Sequence, residues 1–200
     1  MTDASAIEGG FADLVLEGQQ VFRATMDALA NPGTICPLGA LAQPPAPLTP
    51  ELAALALTVL DHDSPVWLDP TLAAAPIVAD WLRFHTGAPI VADPAEAMFA
   101  LAANAATMPP LEKFAMGTDE YPDRSTTLIV ATDSLTGGAP LILRGPGIEA
   151  TATFALSVQI TNFHAQWADN RAKFPRGVDV IFVAGGQVAG LPRTTRIGEA

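Results

Sequence analysis

Helical and strand-like segments alternate along the first half of this chain, and proline or glycine separates them. Helical periodicity begins at Asp13 and stops at Asn31-Pro32-Gly33, where glycine suits a left-handed cap and proline cannot continue a helix. Thr49-Pro50-Glu51 begins a second helix, with a capping oxygen, a proline at the first helical position and an acid near the positive helix end. The apolar stripe of the first helix consists of Val15, Phe22, Met26 and Leu29. The other expected elements of this half are strands at 34–38, 65–68 and 88–91 and a helix at 76–83.

The second half of the chain predicts strands joined by tight turns, with one long helix among them. Gly137-Gly138 is expected to turn the strand before it back on itself as a hairpin. The expected elements are a weak strand at 96–101, mainly loop at 102–124, strands at 126–132 and 140–144, a helix at 157–171, and strands at 178–183 and 188–191. Helices and strands alternate in the first half of the chain and hairpins follow in the second, which predicts an α/β fold: a mixed sheet covered by helices. We expect one domain over 13–200 after a flexible lead-in over 1–12.

Composition excludes several classes of function. Half of the 200 residues are hydrophobic and the mean hydropathy is +0.31, which excludes a disordered chain. Acids outnumber bases 21 to 10, and a net charge of −11 argues against nucleic-acid binding and against attraction to an anionic membrane. No apolar run reaches the roughly 20 residues of a membrane span, and no signal-peptide pattern opens the chain, so we expect a cytoplasmic protein. Only 16% of residues are charged, which leaves surface for a protein partner.

Few residues are available for covalent or metal chemistry. One cysteine excludes an internal disulfide and a cysteine-rich zinc site, and Cys36 lies in an apolar segment typical of a buried structural thiol. A Schiff-base enzyme needs a lysine activated in a pocket, and neither Lys113 nor Lys173 has such a setting in the sequence. Neither GxGxxG nor GxxxxGK[ST] occurs. We therefore expect no cofactor and no metal site.

Asp61-His62-Asp63 is the first candidate for chemistry, between a helix and a buried strand. A histidine between two carboxylates can serve as a general base with a raised pKa. The alternative is a polar turn in which the aspartates cap local amides, because such acceptors are common where a helix meets a strand. The sequence favours the polar turn, and a general-base role for His62 remains the alternative.

Two further candidates contain arginine. Arg83 and His85 near the end of a helix suit an anion clamp, although cations there also offset the helix dipole. Arg193 and Arg196 flank two threonines and form the densest basic segment of the chain, suited to a phosphate-like group, an acidic partner or simply solvent. Because a chain of charge −11 repels anions at long range, binding one would require arginines to come together, and Arg83, Arg193 and Arg196 are the candidates.

Five segments in a fixed order carry a resemblance to a known family. They are Phe22-Arg23 with Met26 and Asn31-Pro32-Gly33, the segment LTVLDHDSPVWL at 57–68, LRFHTGAP at 82–89, FPRGVD at 174–179, and LPRTT at 191–195. Together they resemble the PhnH subunit of the bacterial carbon–phosphorus lyase system. The resemblance extends from about residue 20 to residue 197, and it is looser over 102–124.

The resemblance implies a three-layer fold related to pyridoxal-phosphate-dependent transferases, with the cofactor function lost. It implies homodimers that join PhnG, PhnI, PhnJ and PhnK in a complex that processes phosphonates. In that complex an alkylphosphonate displaces adenine from ATP and gives alpha-D-ribose 1-alkylphosphonate 5-triphosphate. The nucleosidase chemistry is attributed chiefly to PhnI and radical cleavage to the iron–sulfur subunit PhnJ, and one cysteine in this chain agrees with that division because it cannot hold a cluster.

The sequence leads to three functional hypotheses. The first is an accessory subunit of such a complex, with no catalytic residue assigned to it. The second is a stand-alone enzyme that uses His62 with Asp61 or Asp63, and Arg83 with His85, on a small anionic substrate. The third, a retained pyridoxal-phosphate enzyme, is disfavoured by the two lysines.

Overall fold

In a computed structural model that describes residues 7–157 and 160–198, the chain forms two sheets. The strands are β1 (Ile35–Pro37), β2 (Val66–Leu68), β3 (Ile90–Val91), β4 (Phe99–Ala102), β5 (Thr127–Ala131), β6 (Leu141–Arg144), β7 (Ala152–Phe154), β8 (Asp179–Ala184), β9 (Gln187–Leu191) and β10 (Arg196–Gly198). Seven of them form one mixed sheet in the order β1-β9-β8-β5-β4-β2-β3, and β10-β6-β7 form a second, antiparallel sheet. From β8 to β3 the large sheet is parallel, whereas β9 runs antiparallel to both β8 and β1.

The helices begin where the sequence offers capping oxygens. They are α1 (Leu14–Ala30), α2 (Pro50–Val59), α3 (Pro70–Ala73), α4 (Pro76–Thr86) and α5 (Phe163–Ala172). Asp13 accepts hydrogen bonds from the first amides of α1, and the Thr49 hydroxyl accepts one from the amide of Leu52 in α2. Gly87 ends α4 in the left-handed conformation, with φ at 74°. None of these helices combines the length and apolar character needed to cross a membrane.

The large sheet lies between two apolar clusters, which makes the architecture three-layered. Alternate residues of β5 and β8 enter opposite clusters: Ile129 and Ile181 pack with α1, α2 and α4, and Leu128 and Val180 pack on the other side. That second cluster includes Phe163 and other residues of α5 together with apolar side chains of the small sheet. The mixed α/β fold with a helix-covered sheet is therefore confirmed, with the small sheet as an addition.

The hairpin expected at Gly137-Gly138 is wrong. The strand before this turn, β5, pairs in parallel with β4 and β8, and the strand after it, β6, joins the small sheet. Leu128, Ile129 and Val130 are buried on both faces of the sheet, a pattern typical of a central parallel strand with both ladder edges occupied. The glycines permit a reversal, but no edge of β5 is free for the hairpin partner.

Three predicted boundaries also differ. The helix predicted at 76–83 is α4, which continues to Thr86. Helix α5 begins at Phe163 rather than at residue 157, because the backbone before it is tied elsewhere: the Thr132 hydroxyl donates to the carbonyl of Ser157 at 2.7 Å. Residues 158–159, within the expected helix, lie outside the described residues. The strand expected at 96–101 is β4, Phe99–Ala102, and Pro94–Glu96 before it form a short 3₁₀ turn.

Residues just before α1 pack against α4. The indole nitrogen of Trp81 donates to the carbonyl of Glu8 at 2.8 Å, and the amide of Gln43 donates to the carbonyl of Gly9 at 2.8 Å. Phe11 is buried in the cluster on the helical face. Packing onto the core thus begins before residue 13, and residues 1–6 lie outside the described part of the chain.

Candidate functional site

The Asp61-His62-Asp63 segment forms a capped turn between α2 and β2. One carboxylate oxygen of Asp61 accepts hydrogen bonds from the amide of Asp63 at 3.0 Å and from the hydroxyl of Ser64 at 2.6 Å. The Ser64 hydroxyl, followed by the Asp63 amide, lowers the pKa of Asp61. His62 Nε2 lies 3.4 Å from Asp63 Oδ2, and both side chains are about four-fifths exposed (79% and 84%). The geometry is that of the polar turn, with its histidine in solvent.

The end of α4 is likewise occupied by local contacts. His85 Nε2 lies 2.8 Å from the carbonyl oxygen of Ile7, and because a carbonyl only accepts, this nitrogen carries the proton in that contact. The imidazole packs on Trp81 with ring centroids 4.4 Å apart. Arg83 is exposed and lies 3.7 Å from Asp80, one turn earlier. His85 therefore anchors the residues before α1, and Arg83 has a carboxylate neighbour on its own helix.

These two segments are neighbours in space. A β-carbon built on Gly87, directly after α4, would lie 3.4 Å from the β-carbon of His62. Both segments precede strands, β2 and β3 respectively, so they lie at the amino edge of the parallel strands. Ligands of open parallel sheets bind at the opposite, carboxyl edge. The segments that contain His62 and His85 therefore lie together at the sheet edge that does not ordinarily bind ligands.

At the carboxyl edge, the prominent polar side chain is Asp69, between β2 and α3, which no motif of the sequence indicated. It is fully buried, and its oxygens accept hydrogen bonds from the amides of Leu72, at 2.9 Å, and Asn104, at 3.0 Å. These bonds cap α3 and join the ends of β2 and β4. The strands β2 and β4 are neighbours whose connections leave on opposite faces, the position where ligands commonly bind, but Asp69 is committed to the backbone there.

Arg193 is a structural cross-link. Its guanidinium forms an ion pair with Asp179 and donates to the hydroxyl of Ser125 and to the carbonyl of Pro122, the last at 2.7 Å. A longer contact of 3.5 Å reaches the carbonyl of Pro175. The side chains of Arg193 and Asp179 are only 13% and 22% exposed. The charge of Arg193 is compensated within the fold, so the residue is not free to hold an anion.

The three arginines proposed for a shared anion site occupy different parts of the fold. Arg83 lies on α4, against the cluster on the helical face, and Arg196 lies on β10, in the small sheet. Arg83 lies 3.7 Å from Asp80 and Arg193 is paired with Asp179, so these two guanidinium groups have separate carboxylate partners. Arg196 is exposed and lines a cavity beside α5.

The remaining reactive residues are placed as follows. Burial, and secondarily the charge of Asp27, raises the pKa of the Cys36 thiol, which opposes a nucleophilic role. Lys173 lines a cavity of 410 Å³ beside α5, together with the carboxylates Glu112 and Asp169 and with apolar residues that include Leu111 and Met116. Lys113 is exposed. No cluster of three metal-binding side chains is assembled by the residues that the structure describes.

The most conspicuous surface lies on α1. Three residues of the stripe noted in the sequence face away from the sheet, since Val15, Phe22 and Met26 are 65%, 50% and 39% exposed, whereas the fourth, Leu29, packs against the cluster on the helical face. The face of α1 that packs on the sheet consists instead of Val21, Ala24, Thr25 and Ala28. We define the α1 stripe as Leu14, Val15, Gly18, Phe22 and Met26, which line a shallow groove together with Leu57 of α2.

Comparison with known proteins gives concordant matches. The family model described as "Bacterial phosphonate metabolism protein (PhnH)" matches residues 9–198. The "Alpha-D-ribose 1-methylphosphonate 5-triphosphate synthase subunit PhnH" of Rhizobium meliloti (strain 1021) is 48% identical over 198 residues, which cover 98% of each chain. The "Putative C-P lyase subunit protein HtxG" of Stutzerimonas stutzeri is 31% identical over 179 residues, covering 90% of this chain and 85% of that protein.

Proposed function

The chain belongs to the PhnH family of bacterial phosphonate metabolism proteins, and on that premise we propose that it is the PhnH subunit of a carbon–phosphorus lyase complex. The observation that carries this proposal is the 48% identity to a synthase subunit across 98% of both chains. The complex would act on ATP and an alkylphosphonate, displacing adenine to give alpha-D-ribose 1-alkylphosphonate 5-triphosphate. We propose PhnG, PhnI, PhnJ and PhnK as partners and the cytoplasm as the compartment.

Within that complex the chain is an accessory subunit. Its support is the way polar residues are used: Asp61 caps a turn, Asp69 caps a helix, His85 holds a backbone carbonyl and Arg193 is neutralised by Asp179. A general base or nucleophile needs a free lone pair directed at a substrate. In this proposal the chemistry resides on the partner subunits, and this chain contributes surface and assembly.

We also propose kinship with pyridoxal-phosphate-dependent transferases without the cofactor. The mixed α/β sheet is compatible with such an origin, and of the two lysines Lys113 is exposed while Lys173 shares its cavity with the carboxylates Glu112 and Asp169. Adding pyridoxal phosphate to the purified chain should produce no aldimine absorbance band. Appearance of a band that is lost in Lys173→Ala would overturn this part.

The α1 stripe is the surface we propose for pairing with a second copy of the chain. Of the ten exposed large apolar side chains among the described residues, five lie on α1: Leu14, Val15, Leu16, Phe22 and Met26. Gly18 lies in the middle of this helix, where glycine costs about 1 kcal/mol relative to alanine. Within residues 7–157 and 160–198, no atom approaches within 4 Å of the position a β-carbon would take, so packing among these residues does not explain the glycine. A partner approaching closely would explain it.

The spacing of the stripe is self-complementary. Leu14, Gly18, Phe22 and Met26 form one row at four-residue steps, the row used in the commonest class of helix packing. A twofold axis level with residue 20 places Phe22 of each copy at the Gly18 notch of the other, and Leu14 opposite Met26. Gln19 and Arg23 flank the row on one side, where an amide and a guanidinium from the two copies can hydrogen-bond. This reciprocity is what an isologous dimer requires.

A matched pair of substitutions tests the dimer. Phe22→Asp should convert the chain to a monomer in sedimentation equilibrium, because it places a carboxylate in the apolar seam. Phe84→Asp changes a similarly exposed phenylalanine on α4 and should leave the dimer intact. A monomeric wild type at 50 µM or above, roughly the concentration at which even a weak dimer assembles, contradicts the proposal. So does a Phe22→Asp variant that remains dimeric.

Assembly tests the function itself. When the chain is co-expressed with the other subunits, native mass spectrometry should find it in their complex, and deleting its gene should abolish growth on methylphosphonate. A chain that stays separate, in a strain that grows without it, refutes the subunit assignment. Turnover of a small anion by the purified chain, lost in His62→Ala and His85→Ala with the fold intact, would instead establish the stand-alone enzyme.

A further inference from the structure

Three arginines that have no carboxylate partner among the described residues lie where the small sheet meets α5. In the antiparallel pair β6–β10, Arg144 and Arg196 are directly opposite each other, and both side chains are exposed. Like charges at directly opposite positions destabilise a strand pair. A fold retains such a pair without penalty when a negative charge lies between or beside the two guanidinium groups.

A third arginine faces the same region from α5. Arg171 and His164 line a cavity of 340 Å³ between α5 and β10, and Arg196 lines it from the other side. The guanidinium carbon of Arg171 lies 5.0 Å from the ring centroid of Phe174. Its Nε is buried without a hydrogen-bond partner among the described residues. A buried N–H that no acceptor satisfies is rare. Because this Nε is shielded from solvent, the terminal guanidinium nitrogens of Arg171 are the ones that can meet a ligand in the cavity.

Arg83, Arg176 and Arg193 each lie within 4 Å of an aspartate. Arg23 and Arg124, like the arginines of this group, have no ion pair within residues 7–157 and 160–198. What distinguishes the group is position: Arg144 and Arg196 are cross-strand neighbours, and Arg171 shares a cavity with Arg196. Within residues 7–157 and 160–198, no carboxylate lies within 4 Å of Arg144, Arg171 or Arg196. A local concentration of positive charge on an acidic protein focuses anions at that position despite the overall charge.

We propose that Arg144, Arg171 and Arg196, with His164, form a binding site for a tetrahedral phosphorus oxyanion: a phosphate, a phosphonate or the phosphate tail of a nucleotide. Guanidinium groups recognise such oxyanions by paired N–H donors, and an anion with three or more acceptor oxygens can engage several of them at once. The inference does not depend on membership in the lyase complex, because it rests only on charges and contacts within this chain. It concerns binding and includes no catalytic step.

The site can be tested on the purified full-length chain by isothermal titration calorimetry at low salt. Inorganic phosphate, methylphosphonate and ATP are the probes, and sodium acetate is the control anion. We expect at least one phosphorus oxyanion to bind, with affinity reduced tenfold or more in Arg144→Ala and in Arg196→Ala. Binding of phosphate or methylphosphonate identifies a free oxyanion as the ligand, whereas binding of ATP alone identifies a nucleotide phosphate tail.

Arg83→Ala is the matched control, since Arg83 is an exposed arginine on α4, which packs on the helical face of the large sheet. It should leave the affinity unchanged. The proposal is overturned if none of the three probes binds at 10 mM, about the weakest range in which a specific site is distinguishable. It is also overturned if Arg83→Ala weakens binding as much as Arg196→Ala does, because the effect would then be one of net charge.

A charge reversal separates a binding role from a structural one. Arg196→Glu creates an attractive pair with Arg144, so without ligand it should raise the thermal midpoint by about 1–3 °C while abolishing oxyanion binding. If Arg196 were needed for the fold, the same substitution would lower the midpoint. A lower midpoint with binding retained would refute the assignment of Arg196 to the site.

Discussion

Arg193 shows how a residue that looks like a ligand contact in the sequence serves the fold. Its neighbours in the chain are threonines and another arginine, which indicate an anion site. In the folded chain its guanidinium joins β8, through Asp179, to the loop that contains Pro122 and Ser125. Those partners lie 14 to 71 residues away, so no local pattern could reveal them.

Replacing Arg193 should therefore destabilise the chain. Arg193→Met leaves Asp179 partly buried without its cation, and we expect a loss of about 2–3 kcal/mol, somewhat below the range for fully buried pairs. Arg193→Lys should recover only part of it, because lysine lacks the planar fork. Urea unfolding measures both. Arg176→Ala, which breaks an exposed pair with Asp119, should cost less than about 1 kcal/mol. Equal losses at the two positions would contradict the structural role of Arg193.

Cys36 gives a pH-dependent prediction. Because burial and Asp27 raise the pKa of its thiol in the folded state, alkylation by iodoacetamide should reach half its maximal rate at higher pH in the folded chain than in urea. The corresponding stabilisation is present below the unfolded pKa and is lost as pH rises through the folded pKa. Asp27→Asn should lower the midpoint only in part, since burial is the larger cause. Asp80→Asn should leave the pH midpoint of Cys36 alkylation unchanged. The same pH midpoint in the folded and the urea-unfolded chain would refute a raised pKa of Cys36.

At the level of elements, α1 illustrates why an apolar stripe does not by itself identify the buried face of a helix. The helix packs through small residues, Ala24 and Ala28, because β9 presents Gly190 to it. A β-carbon on Gly190 would lie 2.8 Å from backbone atoms of Ala28 and Leu29. This close approach places the small face on the sheet and leaves the larger apolar side chains outward, where a partner can cover them.

The close approach of α1 to Gly190 of β9 can be tested by comparing alanine substitutions at Gly190 and at Gly18, which lies on the outer side of α1. Gly190→Ala should destabilise the chain by about 2 kcal/mol, because backbone rather than a flexible side chain occupies the space. Gly18→Ala should stabilise it by about 0.5–1 kcal/mol, since the position is open. Both are best measured by urea unfolding in the Phe22→Asp background, which removes the proposed pairing of helices. A neutral Gly190→Ala would show that α1 does not approach β9 as described.

At the scale of the whole molecule, the charge of −11 should make stability depend on salt. Self-repulsion opposes the compact state, and raising NaCl from 10 to 300 mM shortens the screening length from about 30 Å to less than 8 Å. We expect the thermal midpoint at pH 7 to rise by a few degrees, about 2–5 °C. The same step at pH 5, closer to the isoelectric point of 4.4, should produce a smaller rise. A midpoint that falls with salt at pH 7 would mean that attractive pairs dominate.

Features that depend on near neighbours can be predicted from the sequence. The Thr49 cap of α2, the end of α1 at Asn31, the mixed α/β class and the family all follow from residues close together in the chain. Tertiary structure alone decided which strand pairs with β5, which face of α1 is buried, and that Arg193 is neutralised while Arg144 and Arg196 stand opposite each other. The reason is physical: capping and turn energies act over a few residues, whereas ladder edges, close approach and charge compensation depend on groups that only folding brings together.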